Sequence, residues 1–330
     1  MNPSFVLRAV KDVIIKDRPK PVLTDPHDMI VHVAQTSICG SDMHYWQRGR
    51  IGEYILDSEM VLKHESAGVV HEGAYNLYSN IQFAATPPWD GTLAKYYMNT
   101  SDFCYKIPNS MTLEEAAMVE PVSVIVAITK TADLRANQTV LVLGCGPISV
   151  LCKAVAKAYS AKTVIGVDVV QPQLDVAKSY GTDHMFFPPR AEPSIDPIEH
   201  AQKVAVQINK ELSLGDGADV VLKCSRAEPC VQLSIYAAKH GATFVQAGMG
   251  KENINFPITA VCIQGLVIKR SIHYLEDYYP AAINLISKGK IDIKRLITNQ
   301  FKFKQAKEAF ELVKIGQQDV FKVMISSVGY

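Results

Sequence analysis

The segment Cys39-Gly40-Ser41-Asp42-Met43-His44 puts a thiol, a hydroxyl, a carboxylate and an imidazole within six residues. His64-Glu65 begins 25 positions after Cys39, and Glu120-Pro121 stands further along the chain. A catalytic zinc takes three protein ligands from Cys, His and carboxylate and keeps a fourth position for water or substrate. Cys39, His64 and one of Glu65 or Glu120 supply such a set. A metal there would polarise an alcohol oxygen and lower its pKa, so that the carbon can give hydride to a nicotinamide. By themselves these residues are a weak signal, because a His beside a Glu is commonly a surface pair and a single Cys is commonly buried filler.

A second constellation is more specific. Thr139–Leu143 (TVLVL) is a short apolar strand that runs into Gly144-Cys145-Gly146-Pro147-Ile148-Ser149 and then a helical pattern through about Tyr159. Gly144 suits the tight turn, Gly146 lets a pyrophosphate approach the backbone, and the helix N-terminus offers free N–H groups. Pro147 fits the first helical turn, where an N–H has no partner. Ser149 occupies the place of the third glycine, whose usual role is close helix–strand packing. The next strand ends in Asp168, 24 positions after Gly144. An acid there accepts hydrogen bonds from the adenosine ribose and disfavours a 2′-phosphate, which points to NAD over NADP. Strand, glycine turn, helix, strand and acid in this order make a strong fingerprint where a lone glycine pattern would not.

These residues need elements to position them. The first third reads as an irregular, mainly β domain, with strand-like runs at Asp28–Ala34, Val61–Val70 and Gly91–Met98. From about Glu120 the texture changes. Apolar strands at Thr139–Leu143, Thr163–Asp168, Ala218–Cys224, Ala242–Ala247 and Leu266–Ser271 alternate with helical patterns at Pro147–Tyr159, Pro172–Tyr180 and Pro229–Lys239. That alternation predicts a parallel sheet covered by helices on both faces. A helix at Lys304–Val313 and a strand at Asp319–Ile325 follow.

The 330-residue length favours two domains, and 48% hydrophobic with 20% charged residues is an ordinary globular mix. A net charge of +1 gives no pointer to nucleic acid or a membrane surface, and no apolar run is long enough to span a bilayer. Met1–Lys20 lacks the apolar core of an export signal, and Val328-Gly329-Tyr330 matches no anchor signal. Seven irregularly spaced cysteines without Cys-x-x-Cys predict a reduced, cytoplasmic protein with no disulfide framework.

The phrases TSICGSDMHYW, LKHESAGVV, FAATPPWDGTLAKYY, VEPVSV, GCGP, GADVV, AEPC and VQAGMG are similar to those of zinc-dependent medium-chain dehydrogenases of the polyol branch, which includes xylitol, sorbitol and arabinitol dehydrogenases. The resemblance runs along essentially the whole chain. It implies an α/β fold: a Rossmann doubly wound parallel sheet at 122–272, and a truncated, mainly β, GroES-like catalytic domain at 1–121 and 273–330. It implies NAD-dependent oxidation of a secondary alcohol of a sugar alcohol to a ketose, xylitol to D-xylulose foremost, on a single catalytic zinc. Cys39 and His64 look like zinc ligands, Glu65 like the third, and Glu120 like a carboxylate that reaches the metal directly or through water. Asp42 would orient His64, Ser41 would hydrogen-bond the substrate hydroxyl, and His44 would relay the proton outward. Tyr45, Tyr274 and His273 fall where the family contacts its polyol. Gly144, Gly146, Pro147, Ile148, Asp168 and Gln173 fall on the cofactor. The family is oligomeric, so a homodimer or homotetramer pairing through the edge strand near Leu266–Ser271 is expected.

Several positions depart from the family pattern. His71-Glu72-Gly73 passes almost directly into Ala74–Tyr78, which implies an internal deletion that removes the lobe for a structural zinc. Lys63, Arg226 and Arg270 stand where the family has glycine, Lys223 where it has an acid, and His273 and Gln173 where it has arginine. A glycine with positive φ at 63 would be poorly replaced by lysine, and a cation there would oppose a metal. These departures support a second reading, a catalytically impaired relative that keeps a nucleotide-binding or subunit-pairing domain.

Overall fold

The computed structural model describes residues 1–23, 28–67, 84–100, 104–275 and 277–328. The expectations for His71–Tyr78, and with them the deletion and the missing structural-zinc lobe, lie outside the described residues. The chain divides into two compact units, Met1–Ser123 with Leu275–Tyr330, and Val124–Tyr274.

The second unit is built on six parallel strands. Their spatial order is His184–Phe186, Thr163–Val167, Thr139–Leu143, Ala218–Lys223, Ala238–Gln246 and Val267–Arg270. Numbered along the unit, that order is 3-2-1-4-5-6, the doubly wound arrangement of Rossmann sheets. The inner strands are near-continuous apolar runs because both of their faces are covered, as parallel pairing requires. Val140, Leu141, Val142 and Leu143 are all fully buried and pair with Val164–Val167 on one side and Val220–Lys223 on the other. Strand order reverses between Thr139–Leu143 and Ala218–Lys223, so their carboxyl ends flank the crevice where such folds bind ligands. Proline in the first turn starts the helices Pro147–Ala158, Gln171–Lys178, Pro197–Glu211 and Glu228–Ala237.

The first unit is mainly β. Asn2–Ala9 pairs with Asp12–Arg18 and Met60–Val61, and Asp28–His32 pairs with Tyr96–Thr100. A four-stranded sheet runs in the order Ile297–Lys302, Lys322–Ser326, Gln35–Ser37, Glu65–Ser66. Its core joins Phe5, Trp46, Leu62, Phe310 and Ile325. The strand expected over Val61–Val70 is interrupted: only Met60–Val61 and Glu65–Ser66 are extended and paired. The break falls at Lys63, whose φ of +86° no strand can carry. The helix expected from Lys304 begins at Ala306, after a 3₁₀ turn over Phe303–Gln305.

Candidate active site

Three strands of the first unit converge on one cluster. Gln35–Ser37 pairs antiparallel with Glu65–Ser66, which sets Ser37 opposite Glu65, and with Lys322–Ser326 on its other side. The chain then passes through Ile38 to Cys39, which caps the helix Gly40–Arg48. The ligand atoms of Cys39, His64 and Glu65 all lie within 4.8 Å of one another. Ser41 Oγ is 3.4 Å from His64 Nε2. Glu120, in the first turn of the helix Val119–Thr131, is buried and feels the charges of Glu65, His64 and Cys39.

Electrostatics in this cluster follow from burial. Glu65 is 1% exposed, and one of its carboxylate oxygens accepts from both the Ser37 hydroxyl and the Lys322 ammonium. Burial opposes its charge, but Lys322 and then His64 outweigh that and hold its carboxyl below the usual range. For Glu120, burial followed by repulsion from Glu65 outweighs the weaker pull of His64 and Lys322 and pushes its carboxyl up to about 8. Burial, then Glu65, raises the Cys39 thiol to about 12. Three acidic groups thus crowd a desolvated space and resist ionising together, an arrangement a divalent cation reverses.

Lys63 carries a strained backbone at a fully buried site. Its Nζ lies 3.4 Å from Asp42 and 4.4 Å above the Phe310 ring, with no hydrogen-bond partner among the described residues. Burial pulls this amine down to about 8. Asp42 is engaged differently from the role the family resemblance implies. Its two oxygens accept the backbone N–H groups of Cys39 and Lys63, at 3.0 and 2.9 Å, so it ties the two loops together and faces the Lys63 ammonium. Tyr45 is 2% exposed and packs in the core of the unit, and burial raises its hydroxyl to about 12. His44 is half-buried on the same helix. Sequence reasoning missed Ser37 and Lys322. The visible signal for Lys322 was a lysine heading the apolar strand Lys322–Ser326, where a buried cation needs a partner.

In the second unit the glycine turn has the expected form. Gly144 has φ +110°, and a Cβ there would sit 2.9 Å from Ser149 Oγ, so only glycine fits. Gly146 caps the helix Pro147–Ala158, and a Cβ built on it meets nothing within 4 Å. Open space above Gly146 is what a diphosphate needs. Ser149 is buried against the turn without displacing it. Asp168 accepts the N–H of Cys145 at 2.6 Å and that of Val170 at 3.0 Å, which fixes it beside the turn. Gln173 is half-buried on the helix that follows. Buried Lys153 donates to the Gly144 carbonyl at 2.9 Å and lies 2.8 Å from Cys145 Sγ, a brace that sequence reading did not foresee. Lys223 donates to the Gly248 carbonyl, and Arg226 lines a cavity of about 400 Å³ with Glu228, Gln232 and Lys251. Tyr274 is buried with His273 edge-on against it, ring centroids 6.2 Å apart, at the end of this unit.

Residues 147–288 match the family described as zinc-binding dehydrogenase, and residues 25–82 match the alcohol dehydrogenase GroES-like domain. The chain is 43% identical to D-xylulose reductase A of Aspergillus niger, over 99% of this chain and 97% of that one. The chain belongs to the zinc-dependent medium-chain dehydrogenases, in the polyol branch. A probable D-xylulose reductase A of Arthroderma otae is 42% identical over 99% and 98% of the two chains. Both alignments run over 357 positions, more than the length of this dehydrogenase, so these relatives carry residues with no counterpart here. Its fold is shared with 2R,3R-butanediol dehydrogenase from Bacillus subtilis, with a TM-score of 0.87 at 20% identity over 99% of both chains. Galactitol-1-phosphate dehydrogenase from Escherichia coli superposes with a TM-score of 0.84 at 18% identity, over 98% of this chain and 99% of that one.

Proposed function

We propose that this dehydrogenase interconverts a sugar alcohol and its ketose with NAD, xylitol and D-xylulose foremost, on one catalytic zinc held by Cys39, His64 and Glu65. The convergence of those three ligand atoms within 4.8 Å carries the reading. The donor chemistry fits: a thiol, an imidazole and a carboxylate are the ligand types of catalytic zinc sites, which keep a fourth position open. When bound, the metal lowers the pKa of the alcohol oxygen and leaves its carbon able to release hydride. The protein's part is positional. Ser37 and Lys322 fix one oxygen of Glu65 and leave the other for the metal. Glu120, protonated near neutral pH, would reach a bound metal directly or through water and hold a proton beside it. Ser41 holds the substrate hydroxyl beside His64, His44 passes the proton outward, and Tyr45, His273 and Tyr274 shape the polyol site. In the second unit Gly144, Gly146, Pro147 and Ile148 take the diphosphate, and Asp168 with Gln173 takes the adenosine half.

Division into a catalytic domain at 1–121 and 273–330 and a cofactor domain at 122–272 belongs to the same reading, as does a cytoplasmic homodimer or homotetramer. Val267–Arg270 is an edge strand that exposes Val267 and Ile268, a surface suited to pairing. Among the described residues no helix is long and apolar enough to cross a membrane. The impaired-relative reading gains no support, since the ligand set and the glycine turn are both assembled.

The test is zinc content of the purified protein together with NADH formation from xylitol, sorbitol and arabinitol. The expected result is one zinc per chain and turnover of a polyol, both lost in Cys39→Ser. A metal-free protein that reduces no NAD with any of the three rejects the proposal, and a zinc-replete, active Cys39→Ser rejects the role of Cys39.

A further inference from the structure

Cys145, Cys152 and Cys224 lie in and around the glycine turn, away from the Cys39–His64–Glu65 cluster, and the last two touch. Cys152, fully buried on the helix Pro147–Ala158, and Cys224, half-buried just after the strand Ala218–Lys223, have their sulfurs 3.6 Å apart. A disulfide needs about 2.05 Å, so an approach of roughly 1.5 Å closes the bond. We propose that Cys152 and Cys224 form a dithiol–disulfide couple whose oxidation weakens dinucleotide binding. Its effect on the cofactor rests on the nucleotide-binding reading above; the bond itself does not.

The two sulfurs are unequal. The Cys152 thiol donates to Cys224, and with further help from Lys153, Lys223 and Ser149 this holds Cys224 below its ordinary pKa despite burial. Cys152 is held well above its own, by the same hydrogen bond and by burial. Cys224 is also the more exposed of the two, so it is the sulfur an oxidant reaches first and the nucleophile, with Cys152 the resolving thiol. With a hydroperoxide as oxidant, the Cys224 thiolate attacks the O–O bond. It takes up one oxygen as a sulfenic acid, while the other oxygen leaves with a proton as an alcohol or water. The Cys152 sulfur then displaces hydroxide from Cys224, its thiol proton completes a water molecule, and the S–S bond forms. Two electrons pass from the thiol pair to the peroxide.

The bond would be felt at the turn because nothing between the two sites is slack. Cys224 and Ser225 both donate their N–H groups to the Leu143 carbonyl, at 3.1 and 3.0 Å, immediately before Gly144. A Cβ on Gly144 would lie 2.9 Å from Ser149 Oγ and 3.3 Å from the Ser225 nitrogen. Drawing Cys152 toward Cys224 therefore pulls the first turns of the helix, whose N-terminus faces the diphosphate, out of register with the glycine turn.

The reduced full-length enzyme is treated with a small excess of hydrogen peroxide and mapped as non-reduced peptides, while NADH binding is followed by fluorescence. The expected result is a Cys152–Cys224 linked peptide two hydrogens lighter than its parts. NADH affinity should fall about tenfold, the order of one lost hydrogen bond to a charged phosphate, and dithiothreitol should reverse both. Cys152→Ala should give no linkage, leave a Cys224 sulfenic acid that dimedone traps, and keep its NADH affinity under peroxide. A peptide map without the linkage, or with Cys224 joined to another cysteine, overturns the couple. Linkage with unchanged NADH affinity overturns its effect on the cofactor. If the reduced enzyme binds no NADH, the nucleotide-binding reading and the effect resting on it both fall, and the linked peptide still decides the couple.

Discussion

Replacing Lys322 by Met tests the electrostatic account of the metal cluster most directly. Both partners of the Glu65–Lys322 pair are buried, and methionine keeps most of the volume while removing the charge. Stripping one partner from a buried ion pair costs about 3–5 kcal/mol, because the other charge is left desolvated. For a unit of this size that is a fall of roughly 6–20 °C in the unfolding midpoint of the metal-free protein. Zinc changes the ledger. On the proposed function, Glu65 in the loaded site would face a divalent cation, so losing Lys322 would cost much less and would remove the competitor for the carboxylate. The zinc-induced rise in midpoint should therefore be larger in Lys322→Met than in the parent. The pH dependence has a definite direction. Glu65 has its folded pKa lowered, so the pair's contribution is present above the ordinary carboxylate range and is lost as pH falls through the folded value. Lys322 has its pKa raised, so the contribution is present below about 10.5 and is lost as pH climbs through the folded value. In the variant, burial without Lys322 to oppose it pushes Glu65 upward, so it takes up a proton as pH falls. The stability gap between parent and variant should then be wide at pH 8 and narrow at pH 5. Scanning calorimetry with and without zinc at the two pH values measures it. An equal loss with and without zinc would make Lys322 a packing residue and refute the reasoning.

Glu120→Gln should flatten a pH dependence. Because the Glu120 pKa is raised to about 8, the folded chain holds a proton that the unfolded chain releases, so the metal-free parent loses stability from about pH 4.5 up to 8. Urea midpoints at pH 5.5 and 8 should converge in the variant. Lys63→Gly relieves a φ of +86°, removes a buried cation and leaves Asp42 unopposed. Zinc affinity by chelator competition should rise about tenfold or more, and unchanged affinity would show that the Lys63 charge does not reach the metal. Asp168→Asn removes the charge and keeps an acceptor for only one of the Cys145 and Val170 N–H groups, which reach different oxygens of Asp168. The preference for NAD over NADP, read as a ratio of Kd values, should fall about tenfold.

The two units were legible to different degrees, for one physical reason. Each inner strand of the Rossmann sheet is covered on both faces, so it appears as a local apolar run, and Thr139–Leu143 was bounded correctly from composition alone. The first unit has strands of two and three residues that exist only through distant partners, and Glu65–Ser66 is a strand because Gln35–Ser37 lies beside it. No local pattern encodes that. The Lys322–Glu65 contact, 257 residues apart, could be inferred only as a lysine in need of a partner.

Lys63 shows how a local misfit can coexist with an assembled site. The sequence places a cation next to His64, a proposed metal ligand, at a position whose φ of +86° suits glycine. The backbone strain is real and costs about 1–2 kcal/mol. Several contacts hold the residue there regardless. Its N–H donates to Asp42 at 2.9 Å and its carbonyl accepts the Thr92 N–H at 2.7 Å, while Gly91 packs so closely that a Cβ would lie 2.3 Å from that carbonyl. The ammonium is directed to Asp42 and the face of Phe310. Asp42 thus does two jobs at once: its oxygens hold the Cys39 and Lys63 loops at fixed separation, and its charge offsets the lysine that would otherwise repel an ion. A substitution that looks disabling in one dimension is therefore buffered by the same carboxylate that spaces the ligands.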